Sequence, residues 1–387
     1  MCTAFAFAYP ESSPLVPDHD GNDTTWAWLY LVAAAAAFGA YLLGLYALTR
    51  ARFTRTRVVL GLAIAIQLAP LAGPVLLSTD VYTYWDYGRL SAVHGANPYE
   101  DEPSTFPNDP AFPRMGAQWR DTTSVYGPGF TLAAEAHAAV VGESPSAAAW
   151  LYKALAAAAM VALAALAARL GSHAAFAAAF VGWNPLLALH FAGGGHNDAW
   201  MMALVLAALA LAATGRRQLA GVAWAVAIAL KWLPLVFLPL RALEARATRR
   251  RLGHLGFALA AVVIAAAALV RYGTAWIGAF GPLADNLRDQ ARYSIPNRLA
   301  QLGLPESAAA TTLAVLFVCA YAWLLYEAWR GRARLGLCAG LLLLATPWLV
   351  PWYAVWAVPL AAVEEDRAAR WLALGMSAYL LRDAVPL

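Results

Sequence analysis

The sequence predicts an all-α, polytopic membrane protein of about ten to twelve transmembrane or half-membrane helices, with a large extracytoplasmic loop after the second helix. Three observations carry that reading. Hydrophobic residues make up 61% of the 387 positions and charged residues 13%, against roughly 45–50% and roughly 25% in soluble domains. Most of the apolar residues fall in runs near the ~20 residues that a bilayer crossing needs. The arginines gather in short clusters between those runs, which marks cytoplasmic loops. This composition excludes a soluble globular domain, a disordered chain and a nucleic-acid reader built on a dense basic face.

Residues 1–25 hold Glu11, Asp18, Asp20, Asp23, three prolines and no Lys or Arg. They read as a flexible acidic leader, and no basic region precedes an apolar stretch as a cleavable signal would require. Residues 26–387 read as a single transmembrane domain. Its first span, 26–48, is followed by Arg50, Arg52, Arg55 and Arg57, and its second, 58–79, ends at Asp80. A polar segment then runs to about 126. Basic clusters recur at 216–217, 241–251, 330–334 and 367–370. The 80–126 loop and a second polar loop at about 272–307 are expected to share the opposite, extracytoplasmic face.

Runs 253–271 and 308–329 are single full spans. Between Arg217 and Arg241 too few residues remain for two crossings, yet both ends carry cytoplasmic charge. A pair of half-length helices meeting near Lys231 and Pro234 satisfies that parity. The same logic splits 335–363 at Thr346-Pro347 and Pro351-Trp352-Tyr353, and Asn184-Pro185 breaks 173–191. The path between 127 and 195 stays open. Broken helices are tolerated at membrane depth only beside protein or a water-filled cavity, so these breaks predict a cavity near one face. Cys2, Cys319 and Cys338 show neither metal spacing nor a disulfide framework.

Several residues could carry chemistry. Asp80 sits where an apolar helix meets a polar segment, a partly desolvated position that suits a general base and equally a helix cap. Tyr82, Tyr84, Trp85 and Asp86 after it fit a sugar platform or an interfacial belt. Asn97-Pro98-Tyr99 and Tyr126-Gly127-Pro128 read first as turns, with Tyr126 at the membrane boundary. In Gly193-Gly194-Gly195-His196-Asn197-Asp198, capping explains the last two residues but not the histidine behind three glycines. Lys231 is a lone cation in an apolar run, a costly placement that marks a site, whereas Lys153 at a segment start reads as an interfacial anchor. Arg292 and Arg298 lie in a basic loop that could receive a lipid head group. Trp348, Trp352, Tyr353 and Trp356 could stack on a sugar or anchor the break.

The order Asp80-Val-Tyr-x-Tyr-Trp-x-Tyr-Gly, Asn97-Pro98-Tyr99, Tyr126-Gly-Pro, Asn184-Pro185-Leu186, Gly195-His-Asn-Asp198, Lys231-x-x-Pro234 and Pro351-Trp352-Tyr353 resembles the integral-membrane GT-C glycosyltransferases. Within them it is most similar to the bacterial polyprenol-phosphate-mannose-dependent α-mannosyltransferases, over about residues 58–365. The resemblance implies inverting transfer of a hexose, mannose first, from a polyprenyl-phosphate sugar to a glycolipid or glycan acceptor at the outer face of the cell membrane. It implies Asp80 as general base and places His196, Asn197, Asp198 and Lys231 near the donor phosphate, with Arg292 and Arg298 as further donor contacts. Tyr82, Tyr84, Trp85, Asp86, Tyr126, Trp352 and Tyr353 would form the acceptor platform. No nucleotide is implied. A divalent metal is used by some of these enzymes, but the acids here are Asp80 and Asp86 rather than adjacent carboxylates, so no metal ligand is assigned. The rival reading is a flippase or transporter of a lipid-linked sugar, which broken helices also suit.

Overall fold

The computed structural model describes residues 24–51, 53–286 and 290–384; the leader expected at 1–25 lies almost wholly outside them. The described residues are helical throughout and contain no strand. Helix α1 (Thr24–Arg50) is followed by α2 (Thr56–Leu68), which tightens into a 3₁₀ turn at Ala69–Ala72. Helices α3 (Asp80–Ala92) and α4 (Pro128–Val141) bracket an irregular segment. Helix α5 (Pro145–Leu170) starts at Ser144, whose hydroxyl accepts from the Ala147 N–H, with Pro145 preset for the first turn. Helices α6 (Ala174–Gly182) and α7 (Pro185–Ala188) follow, the latter continued by a π turn at Leu189–Gly193.

The later elements are α8 (Asp198–Ala213), α9 (Arg217–Leu230), α10 (Leu238–Ala247), α11 (His254–Tyr272), α12 (Phe280–Asn286), α13 (Ile295–Gln301) and α14 (Glu306–Trp329). Helices α15 (Leu335–Ala345), α16 (Ala354–Val363) and α17 (Arg367–Leu380) complete the chain.

Among the described residues four helices, α1, α5, α11 and α14, are long and apolar enough to cross a membrane. The α6–α7 pair, bent by 50°, makes a fifth if it counts as one span. Six further apolar helices are only 10–17 residues long. Ten to twelve membrane elements are therefore not established. The breaks at Asn184, at Lys231 and between 346 and 353 fall where the sequence placed them. α11 and α14 keep Val262, Val263, Val270, Val315 and Leu316 on the outside, the surface a lipid-facing helix presents.

Two expectations are corrected. The segment after Asp80 is not loop from its start: α3 is a helix whose residues 81–91 are all buried. It packs so closely on α4 that a Cβ at Gly88 would lie 2.2 Å from the Ala134 carbonyl oxygen. Lys153 is not an interfacial anchor but fully buried. Its ammonium donates to the carbonyls of Leu71, Gly73 and Pro74 at 3.2, 2.6 and 3.1 Å, groups left without helical partners where the 3₁₀ turn ends.

Candidate active site

Two of the three helix breaks, at Lys231 and between 346 and 353, meet α3 at a cavity of about 340 Å³; the Asn184 break does not line it. Its wall includes Asp80, Tyr84, Tyr126, Lys231, Trp352 and Tyr353, so six residues from four separate sequence motifs converge there.

Asp80 is the first residue of α3, and its side chain is 13% exposed. The N-cap position belongs to Thr79, and no side chain caps this helix. The carboxylate is thus not spent on a cap and faces the cavity. The Tyr84 hydroxyl, one turn along, donates to its Oδ2 at 3.5 Å, and His196 Nδ1 approaches the same oxygen to 3.4 Å without a hydrogen bond. His196 is fully buried behind the wall, its ring stacked on Trp352 with centroids 3.7 Å apart. Gly195 makes that placement possible. Its φ is +70°, and a Cβ there would come 2.4 Å from Val81 Cγ1.

Lys231 terminates α9 in an extended conformation (φ −154°, ψ 140°), which throws its side chain across the break. The ammonium is 20% exposed and donates to both oxygens of the fully buried Asp198 at 2.8 Å each. Asp198 Oδ1 also accepts from Trp356 Nε1 at 2.7 Å. The same ammonium lies 5.1 Å from the Tyr353 ring centroid, and Tyr353 stacks on Trp356 at 3.7 Å. A cation at membrane depth is tolerable when paired in this way. Tyr126 reaches the cavity because α4 begins against the end of α9: a Cβ at Gly127 would sit 2.1 Å from the Ala229 carbonyl oxygen.

Other sequence candidates lie apart from the cavity wall. Asn197 and Asp198 are buried beside it rather than exposed within it. Tyr82, Trp85 and Asp86 occupy other faces of α3: Trp85 lies under the Arg89 guanidinium, and Asp86 is buried. Burial, then the nearby Asp109 charge, push the Asp86 carboxyl up to about 7, against the opposing pull of Arg89. Asp109 goes the other way despite its burial, because Arg89, the Ala111 N–H and His94 all donate to it. Arg292 and Arg298 flank the Tyr293 ring and do not line the cavity. Six residues at 100° each leave Asp80 and Asp86 about 120° apart around α3. They do not form a carboxylate pair, and no cluster of three or more His, Cys, Asp or Glu among the described residues could hold a metal.

Sequence reasoning missed Trp119, which also lines the cavity and meets Trp348 edge-on at 6.0 Å. It also missed the Trp356–Asp198 bond. A tryptophan in a polar segment gives the first a faint signal; the second has none before the helices are packed.

The architecture and the site define a membrane protein with a partly buried acid and a paired cation around one aromatic-walled cavity, the class of the GT-C-type membrane glycosyltransferases. Residues 8–248 match a family described as alpha-(1->6)-mannopyranosyltransferase, N-terminal domain, and the chain belongs to that family. It is 35% identical over 179 residues to alpha-(1->6)-mannopyranosyltransferase A of Mycobacterium tuberculosis, covering 45% of this chain and 34% of the relative. To the protein of the same name from Corynebacterium glutamicum it is 31% identical over 169 residues, 42% of this chain and 34% of the relative. A probable alpha-(1->6)-mannopyranosyltransferase of Mycolicibacterium smegmatis is 28% identical over 395 residues, covering 85% and 69% of the two chains. The match thus spans 34% of the length of each of the first two relatives. No solved structure matches the chain.

Proposed function

We propose that the protein transfers mannose from a polyprenyl-phosphate donor to a hydroxyl of a lipid-linked or glycan acceptor at the extracytoplasmic face of the cell membrane, with inversion at the anomeric carbon. One observation carries the reading: Asp80 and Lys231 face a single aromatic-walled cavity, with the buried His196 beside the first and the buried Asp198 bonded to the second. A base and a cation so separated can serve the two ends of a single displacement.

In that displacement the acceptor oxygen forms its bond to the anomeric carbon while the bond to the phosphate oxygen breaks. The electron pair leaves with the polyprenyl phosphate, and the hydroxyl proton passes to Asp80. Lys231 supplies positive charge where the leaving phosphate gains negative charge. His196 touches neither substrate; it positions Asp80 through the Nδ1–Oδ2 approach. Tyr126, Trp352 and Tyr353 offer ring faces against which a sugar can stack. The relatives' names support mannose as the sugar, and the donor follows from the sequence resemblance.

The test is transfer of radiolabel from polyprenyl-phosphate-mannose into a lipid-extractable or glycan product by membranes containing wild type or Asp80→Asn. Labelled product lost in the variant supports the assignment. Near-wild-type turnover in Asp80→Asn removes the base, and an unlabelled product fraction from wild type overturns the donor.

A further inference from the structure

A second cavity, of about 200 Å³, lies where α9 and α11 begin. Arg217, Arg241, Arg251 and His254 line it together with Trp224 and Phe257. We propose that this cavity binds the phosphodiester head group of an anionic phospholipid. It is separate from the transfer site, since the 14 residues of α9 run from Arg217 at one cavity to Leu230, next to Lys231, at the other, about 21 Å of helix.

The charge is poorly compensated. Arg241 is paired with Glu244, and among the described residues no carboxylate lies within ion-pair distance of Arg217 or Arg251. Guanidinium groups match phosphate oxygens in a planar fork, so two free ones around one cavity favour a phosphodiester over a carboxylate. The walls argue for a lipid rather than a free ion: Leu209, Trp224, Leu238 and Phe257 make the cavity largely apolar. Its rim continues along the outer face of α11, where Leu255, Leu259, Val262 and Val263 are 58–66% exposed. Acyl chains can lie along that face while the head group enters the basic mouth, as basic pockets between helices do. The glycines that bring the helix starts together leave no room for larger residues. A Cβ at Gly253 would fall 1.8 Å from the Arg217 carbonyl oxygen, and one at Gly221 would fall 2.0 Å from that of Gly253.

Basic clusters also arise from membrane orientation alone, so the test needs a second cluster as control. Purified full-length protein in detergent is titrated with dioleoylphosphatidylglycerol, with dioleoylphosphatidylcholine and with inorganic phosphate, and bound lipid is counted by native mass spectrometry. Wild type is expected to prefer the glycerol lipid by about thirtyfold, two cations' worth, and Arg217→Gln/Arg251→Gln to lose that preference. Arg217→Lys/Arg251→Lys should keep most of it, which separates lost charge from lost folding. Arg330→Gln/Arg332→Gln, in a cluster that lines neither cavity, should bind within about twofold of wild type. Equal binding of the two lipids, an equal loss in both Gln pairs, or displacement of the lipid by equimolar inorganic phosphate overturns the proposal. The readout needs no turnover and so is independent of the transfer reaction.

Discussion

The pairing of Lys231 with Asp198 allows a test that separates a structural lysine from one that also serves the donor. Asp198 is fully buried and accepts three hydrogen bonds, two from Lys231 and one from Trp356. Lys231→Met leaves a buried carboxylate with the indole as its single donor. Orphaning one partner of a buried pair costs roughly 3–5 kcal/mol. The ammonium is one-fifth exposed and water can reach the gap, so about 2–3 kcal/mol is expected here. In Lys231→Met/Asp198→Asn the buried charge is gone, and the amide oxygen still accepts from Trp356. That double variant should therefore be more stable than Lys231→Met by about 1–2 kcal/mol. With Asp198→Asn as the other single variant, unfolding in mixed micelles with increasing sodium dodecyl sulfate, followed by tryptophan fluorescence, gives the four free energies of the cycle. Additivity of the two substitutions within about 0.5 kcal/mol refutes the pairing argument. The same proteins assayed for transfer decide the rest: recovered stability without recovered turnover is expected. Recovery of both would confine Lys231 to the fold.

Asp80→Asn should lower transfer by roughly 10²–10⁴-fold with unfolding free energy little changed, measured on the same preparation. His196→Ala should lower turnover more than it weakens donor binding, because it removes the ring that lies against Asp80 Oδ2; an equal fall in both would make the histidine a mere packing residue. Lys153→Met leaves three carbonyls without their donor and should destabilise by about 2–4 kcal/mol, while donor affinity per folded molecule stays unchanged. For Asp86 the folded-state carboxyl is raised to about 7 from 3.8. The folded chain then holds a proton that the unfolded chain has released, so this group's contribution falls as pH rises from about 4 to about 7 and levels off above. Asp86→Asn should gain on wild type between pH 5 and pH 8, and parallel midpoint curves for the two proteins would contradict the buried, raised carboxyl.

The helix breaks were legible because each carries a local cause that no packing can hide. Pro185 follows a capping asparagine, Pro234 sits just past Lys231, and Pro351 opens the turn before α16. Lys231 was legible because a lone cation in an apolar run is expensive wherever it points. Helix α3 was not, because its burial depends on distant partners: Arg89 is neutralised by Asp109, twenty residues further on, which also takes His94. A segment so rich in charge and tyrosine reads as loop until those pairs are known. Lys153 misled for a related reason. Its ligands are backbone carbonyls at 71–74, groups that every sequence contains and none advertises.

Both charged groups on the cavity wall meet residues outside its lining, His196 and Asp198, which lie two positions apart in the turn that opens α8. Asp80 leans on His196, which is stacked on Trp352 of the 351–353 turn. Lys231 leans on Asp198, which is bonded to Trp356 one turn further along the same break. The stretch 352–356 thus sets the orientation of acid and cation together. Charge held in place before the substrate arrives costs no reorganisation during the reaction, and a displacement of about 1 Å at such a site can cost a hundredfold in rate. Residues 351–353 form a 3₁₀ turn that runs directly into α16, so Trp352, Tyr353 and Trp356 fall within about one helical turn and reach His196, Lys231 and Asp198 together.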